Sequence, residues 1–142
     1  MTQLEKLKAW LLTYPQWEAG QLLYIDYTDG VPGCAGLFPK GVEEVENRQD
    51  ILGNRRVRCR LRAALYRLCG GEEDQTAQAQ WLLEFQQWVR AQSALGLVPR
   101  LGDGTEPEWI RAEEGARKES RTGMGVYAVV LTAEFTKYYQ GD

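Results

Sequence analysis

The sequence predicts a single α+β domain: a mainly antiparallel sheet of about five strands with two main helices packed on one face, in the order α-β-ββ-α-ββ. Three observations carry that expectation. Two segments repeat apolar residues at helical spacing, and two further pairs of segments alternate apolar and polar residues around glycine-containing turns. Neither an internal repeat nor a linker divides the 142 residues, a length sufficient for one proper core.

Thr2 and Glu5 form a capping-box pattern, after which Leu4, Leu7 and Leu11 recur on one helical face, with Trp10 and Leu12 widening the stripe. Tyr14-Pro15 ends this helix, because a residue before proline avoids helical dihedrals. The short apolar run Leu22–Tyr27, bounded by Gly20 and Asp29-Gly30, reads as a strand. VPGCAGLFPKG, residues Val31 to Gly41, reads as a surface loop because glycine and proline crowd it. It lacks the GxxxxGK[ST] pattern of a phosphate cradle. Val42–Asp50 and Arg55–Leu68 then flank the turn ILGN as a hairpin.

Asp74 is placed to cap a long helix reaching about Leu95, in which Trp81, Leu82, Phe85, Trp88 and Val89 make a broad apolar stripe and Gly96 a stop. A second hairpin runs from Trp109–Lys118 through Glu119–Gly125 into Val126–Tyr139. Tyr127, Val129, Leu131, Ala133 and Phe135 share one face of its last strand, while Val126, Ala128 and Val130 make the start of the other face apolar too. Val57, Cys59, Leu61, Tyr127, Val129, Leu131 and Phe135 are the expected core of the sheet, meeting Trp81, Phe85 and Trp88.

The stretch NRRVRCRLRAALYRLC places five arginines among the eight residues from Arg55 to Arg62. Val57, Cys59, Leu61, Ala63 and Leu65 alternate with Arg56, Arg58, Arg60 and Arg62, a period of two that marks a half-buried strand. Folding the hairpin tightly about ILGN brings Asp50 near Arg56, Glu46 near Arg60 and Glu44 near Arg62, pairs worth about 0.2–1 kcal/mol each. The same register sets Arg48 against Arg58, a like-charge conflict that a bulge or slip would relieve and that otherwise leaves Arg58 free for another chain. Arg56, Arg58, Arg60, Arg62, Glu44, Glu46 and Asp50 are therefore the candidate interface residues, a charged ladder facing solvent or a partner. Arginines on a strand can also contact phosphates, but the interleaved carboxylates and the formal charge of −3 argue against a nucleic-acid partner.

Enzyme chemistry finds little purchase. Histidine is absent, which removes the commonest general base and metal ligand. Cys34, Cys59 and Cys69 are odd in number and form no CxxC pair, so buried thiols in a reducing compartment are expected, with no disulfide framework and no metal. The acidic groups EEVE, GEED and AEEG fall on a strand exterior, at a helix start and beside a turn, each a common place for acids. No hydrolase, zinc or dinucleotide motif is present. The expectation is a protein with no catalytic residues and no cofactor, without a membrane span or a secretory signal.

LFPKGVEEVENRQDILGNRRVRCRLRAALYR and GVYAVVLTAEFTKYY, with WLLTYPQW and LLYIDYTD, resemble the small minor capsid or tail-terminator-like proteins of long-tailed phages and of prophages in Gram-positive bacteria. The likeness runs from about Leu4 to Tyr139 and rests on element order and the hairpins, not on a catalytic signature. The resemblance implies a non-enzymatic virion assembly protein. Its partners would be itself, as a hexameric ring, the tail tube protein and a head-completion or connector protein. It would act in the host bacterial cytoplasm and then in the virion neck. Another head–tail stopper or adaptor, or a monomeric prophage regulatory or nucleic-acid-binding module, are the alternatives.

Overall fold

Both helices form where the apolar spacing puts them. The computed structural model describes residues 2–17, 23–25, 35–69, 75–119 and 125–141. Helix α1 spans Gln3–Leu11, and its first turn is capped by Thr2, whose Oγ1 accepts the Glu5 N–H at 3.1 Å. Leu7, Trp10 and Leu11 are buried, whereas Leu12 is the exposed C-cap and does not widen the stripe as expected. Helix α2 spans Gln75–Ala94, so the expected Asp74 cap lies outside the described residues. Its C-terminus closes as a Schellman motif: Leu97 N–H donates to Gln92 O at 2.8 Å and Gly96 N–H to Ser93 O at 3.1 Å. That closure needs a left-handed residue, and Gly96 has φ +71°.

The strands are β1 (Leu23–Ile25), β2 (Ala35–Gln49), β3 (Arg55–Cys69), β4 (Trp109–Glu119) and β5 (Gly125–Tyr139), in the sheet order β1-β2-β3-β5-β4. β1 lies parallel to β2 and every other pair is antiparallel. The two hairpins thus join through β3 and β5, which pair along their whole lengths from Arg55↔Tyr139 to Cys69↔Gly125.

The segment expected to be a loop up to Gly41 is a strand from Ala35 onward. Ala35 and Leu37 are buried where β1 covers them, so burial overrides the local turn composition. Pro39 and Gly41 mark an irregularity in the register, with Gly41 at φ +131°. A bulge tolerates proline's missing N–H.

One face of the sheet carries both helices. Leu7, Leu11 and Tyr14 meet Trp81, Phe85 and Val89 over Val57, Leu61, Leu65, Ile110, Val129, Leu131 and Phe135. Every residue expected in the core of the sheet is buried, and Trp88 packs half-buried against them. Trp10 stacks on Trp88 at 4.9 Å, and the Tyr14 ring meets Trp81 and Phe85 at 5.3 Å each. Burial pushes the Tyr14 phenol up to about 12, with Glu84 adding to the effect. The outer face at the start of β5 is half covered: Ala128 is buried and Val126 and Val130 are intermediate.

The link from α2 to β4 ties distant parts together. Gln3 Nε2 donates to Leu101 O at 2.8 Å and Lys6 Nζ to Arg100 O at 3.0 Å. Glu108 is buried and accepts from Leu101 N at 2.7 Å and Gly102 N at 3.2 Å. Gly102 lies so close to β5 that a Cβ would run into the Thr136 carbonyl. Asp103 N donates to Thr136 O at 2.7 Å, which carries the chain around the sheet edge and sets Glu106 on the outer face.

Candidate functional site

The arginine ladder is built on the outer face of β3, as the period of two requires. Its partners come from three elements. Arg56 Nε meets Glu106 Oε1 at 2.5 Å and Arg56 Nη1 lies 3.7 Å from Glu46. Arg58 donates to Glu134 Oε1 and to Thr136 Oγ1, both at 2.9 Å. Arg60 Nη2 reaches Glu134 Oε2 at 3.3 Å, and Glu43 Oε1 stands 3.6 Å from both Arg60 and Arg62. Four arginines on β3 therefore face four carboxylates, Glu43, Glu46, Glu106 and Glu134.

These pairings differ from the tight-hairpin expectation, for a clear reason. A shift in register between Glu44 and Glu46 sets Glu46 opposite Arg58 and Glu43 opposite Arg60, while Arg48 faces Arg56 instead of Arg58. Glu46 stands between those two arginines and makes ion pairs with both. Glu44 pairs in register with Cys59, so it sits on the opposite, helix-side face, where it is exposed and accepts from Asn47 Nδ2 at 3.4 Å. Asp50 does not reach Arg56. Its Oδ1 accepts from Leu52 N and Asn54 N, each at 2.9 Å, closing the turn, and the Asn54 amide holds its carboxyl below the usual range.

Arg58 is not free for another chain. Its side chain and that of Glu134 are each only 13% exposed, so the two satisfy one another in a nearly dry setting. At the ladder's end, hydrogen bonding from Arg56 first, with Thr136 contributing, draws the Glu106 carboxyl down to about 2. The same contact raises Arg56.

The ladder runs along an arm, the exposed edge stretch of β2 that pairs with β3. From Lys40 to Gln49 every residue of β2 is exposed, on both faces of the strand. At the tip, Ile51 is fully exposed and Leu52 largely so. Asn54 steadies this tip by accepting the Gly141 N–H at 2.8 Å.

Other residues of possible chemistry are separate from one another. AEEG lies within β4, where the register shifts between Glu113 and Ala116, and not beside a turn. GEED falls outside the described residues. Cys59 is buried, and that burial pushes its thiol up. Among the described residues no group of three or more histidine, cysteine or carboxylate side chains is placed to hold a metal ion, and no helix is long and apolar enough to cross a membrane. Arg67, on the helix side of β3, is buried with its guanidinium 4.3 Å over the Trp81 ring and bonded to Gln78. Its odd number places it in the series of Val57 and Leu65, a parity the sequence already displayed.

Comparison with models of known protein families gives no match, and neither does comparison with curated proteins. The site is therefore defined by its own geometry: a neutralised charge ladder supporting an arm with an apolar tip.

Proposed function

We propose that this chain is a non-enzymatic assembly protein of a long-tailed phage. It resembles a tail terminator that forms a ring on the tail tube and joins the tail to the head. The observation that carries the assembly part is the arm: Ile51 and Leu52 stand in solvent at the end of a hairpin whose outgoing strand is exposed on both faces. Apolar side chains presented together in that way mark interaction surfaces. The phage role itself is supported by the likeness of the hairpins and of the element order. Pairing of the ladder with carboxylates argues against phosphate binding, because an incoming phosphate would have to displace ion pairs already made.

In this reading the tip meets the tail tube protein or the head-completion protein. The test is a phage complementation assay with the Ile51→Ser/Leu52→Ser double variant. The expected result is a folded protein with an unchanged melting temperature and a loss of phage titre, with tails of unregulated length in electron micrographs. Normal tails and titre would remove the tip from the function. Retained, salt-dependent binding of duplex DNA by the wild type would favour a nucleic-acid-binding module instead.

A further inference from the structure

The sheet ends in two unlike edges that fit one another. We infer that the β2 arm of one copy adds as a strand to the β4 edge of a second copy, in the groove between β4 and α2. This deepens the ring-forming part of the proposed function and rests on it.

The acceptor is a groove of about 650 Å³ with Leu83, Arg90, Ser93 and Ala94 of α2 on one side and Trp109 and Arg111 of β4 on the other. β4 is the last strand of the sheet. The Ser93 hydroxyl donates to Ile110 O at 2.6 Å and accepts from Ile110 N at 2.8 Å, which closes the edge there. Beyond Ile110, β4 continues to Glu119 with no strand on its outer side among the described residues. Arg90 and Arg111 are exposed and make no ion pair with a described residue; Arg111 lies over the Trp109 ring at 4.3 Å.

The donor is the arm. β1 covers β2 only from Ala35 to Leu37, so among the described residues the edge from Phe38 to Gln49 has no neighbour. Val42 and Glu44 project on its helix side, opposite Leu61 and Cys59, and Glu43 projects on the outer side opposite Arg60. Glu44 makes no ion pair with a described residue, which leaves its charge for a partner.

β2, β3, β5 and β4 are antiparallel throughout, so a second copy moved sideways along the sheet offers its β2 antiparallel to β4, helix face beside helix face. Val42 and Glu44 then face the α2 side, where Leu83 and Arg90 stand, and Glu43 faces the side of Arg111. Val42 lies level with Ile110 across the sheet, so the arm reaches the open part of β4 only with a stagger along the strands. Repeated from copy to copy, a contact of this kind closes into a ring when the rotation between neighbours divides a full turn. The contact joins different surfaces of the two copies, so it propagates.

Two charge reversals test this, read by light scattering and analytical ultracentrifugation, with circular dichroism to establish folding. Wild type is expected to form a closed oligomer, and Glu44→Arg or Arg90→Glu alone to weaken association by at least about tenfold, as like charges across an interface do. The double variant Glu44→Arg/Arg90→Glu restores pairing with its charges exchanged. In an equimolar mixture of the single variants, the Arg90→Glu arm meets the Glu44→Arg groove with the native pair and the Glu44→Arg arm meets the Arg90→Glu groove with the charges exchanged, so the mixture regains association with the two variants alternating. A wild-type oligomer indifferent to both changes overturns this contact while leaving the ring reading in place. A wild type monomeric at all concentrations overturns both. A monomer that captures purified tail tube protein through Arg90 gives the groove to a foreign strand and overturns self-pairing.

Discussion

β2 and β3 are fifteen residues each, paired to one another in a single hairpin, yet they live in different surroundings. On the helix side β3 is buried from Val57 to Leu65, while its partners on β2 emerge into solvent after Leu37. Leu61 is 5% exposed and Val42, directly across from it, is 54% exposed. The backbone ladder is the same for both residues, so it is the helices that make the difference. They cover β3, β5 and β4 and stop short of the arm. A strand can therefore belong fully to a sheet and contribute almost nothing to its core, which frees its side chains for recognition.

The largest effect that sharpens this contrast is core truncation. Leu61→Ala is expected to cost about 2–5 kcal/mol in urea denaturation, as buried leucines do, whereas Val42→Ala costs less than about 0.5 kcal/mol. Equal losses would mean that the arm is packed in solution. The ladder offers a smaller test. Arg58→Gln leaves Glu134 without its best partner in a nearly dry place and is expected to cost about 1–3 kcal/mol. Arg62→Gln, where arginine and glutamate are both more than half exposed, is expected to change the same measurement by less than about 0.5 kcal/mol. A reversed order would place the dry end of the ladder wrongly.

The smallest effect is a pH dependence. Glu106 has its carboxyl drawn from 4.5 to about 2 in the folded chain, so its contribution is complete above 4.5 and is lost as pH falls toward about 2. Thermal melting of Glu106→Gln should accordingly decline less steeply over that acid range than melting of the wild type. Parallel curves would show that the Arg56 contact contributes nothing measurable.

Alternation and helical spacing made the core legible, because burial on one face imposes those periods directly. Thr2, Gly96 and the turn at ILGN were readable for the same reason: each answers a local backbone need. The ladder's faces were visible and its partners were not. A hairpin viewed alone gives β3 one neighbour, whereas Arg58 is satisfied from the other side by Glu134 and Thr136 of β5. Glu134 lay on the polar face of its strand, but nothing local said which strand would lie beside it. The register was misread because a bulge costs one residue and leaves no signature in EEVE. The start of β2 was missed since proline and glycine there serve a bulge, not a loop.

The pairing of β3 with β5 also sets an order of events during synthesis. Arg58 leaves the ribosome 76 positions ahead of Glu134, an interval of roughly 4–15 s at ~5–20 residues per second. The β2–β3 hairpin is complete long before that, and it brings Glu43 and Glu46 with it. The growing chain thus neutralises part of its arginine face at once, while the apolar face of β3 waits for its flanking strand. A nascent chain arrested before β5 is expected to bind a hydrophobic dye that the finished chain excludes.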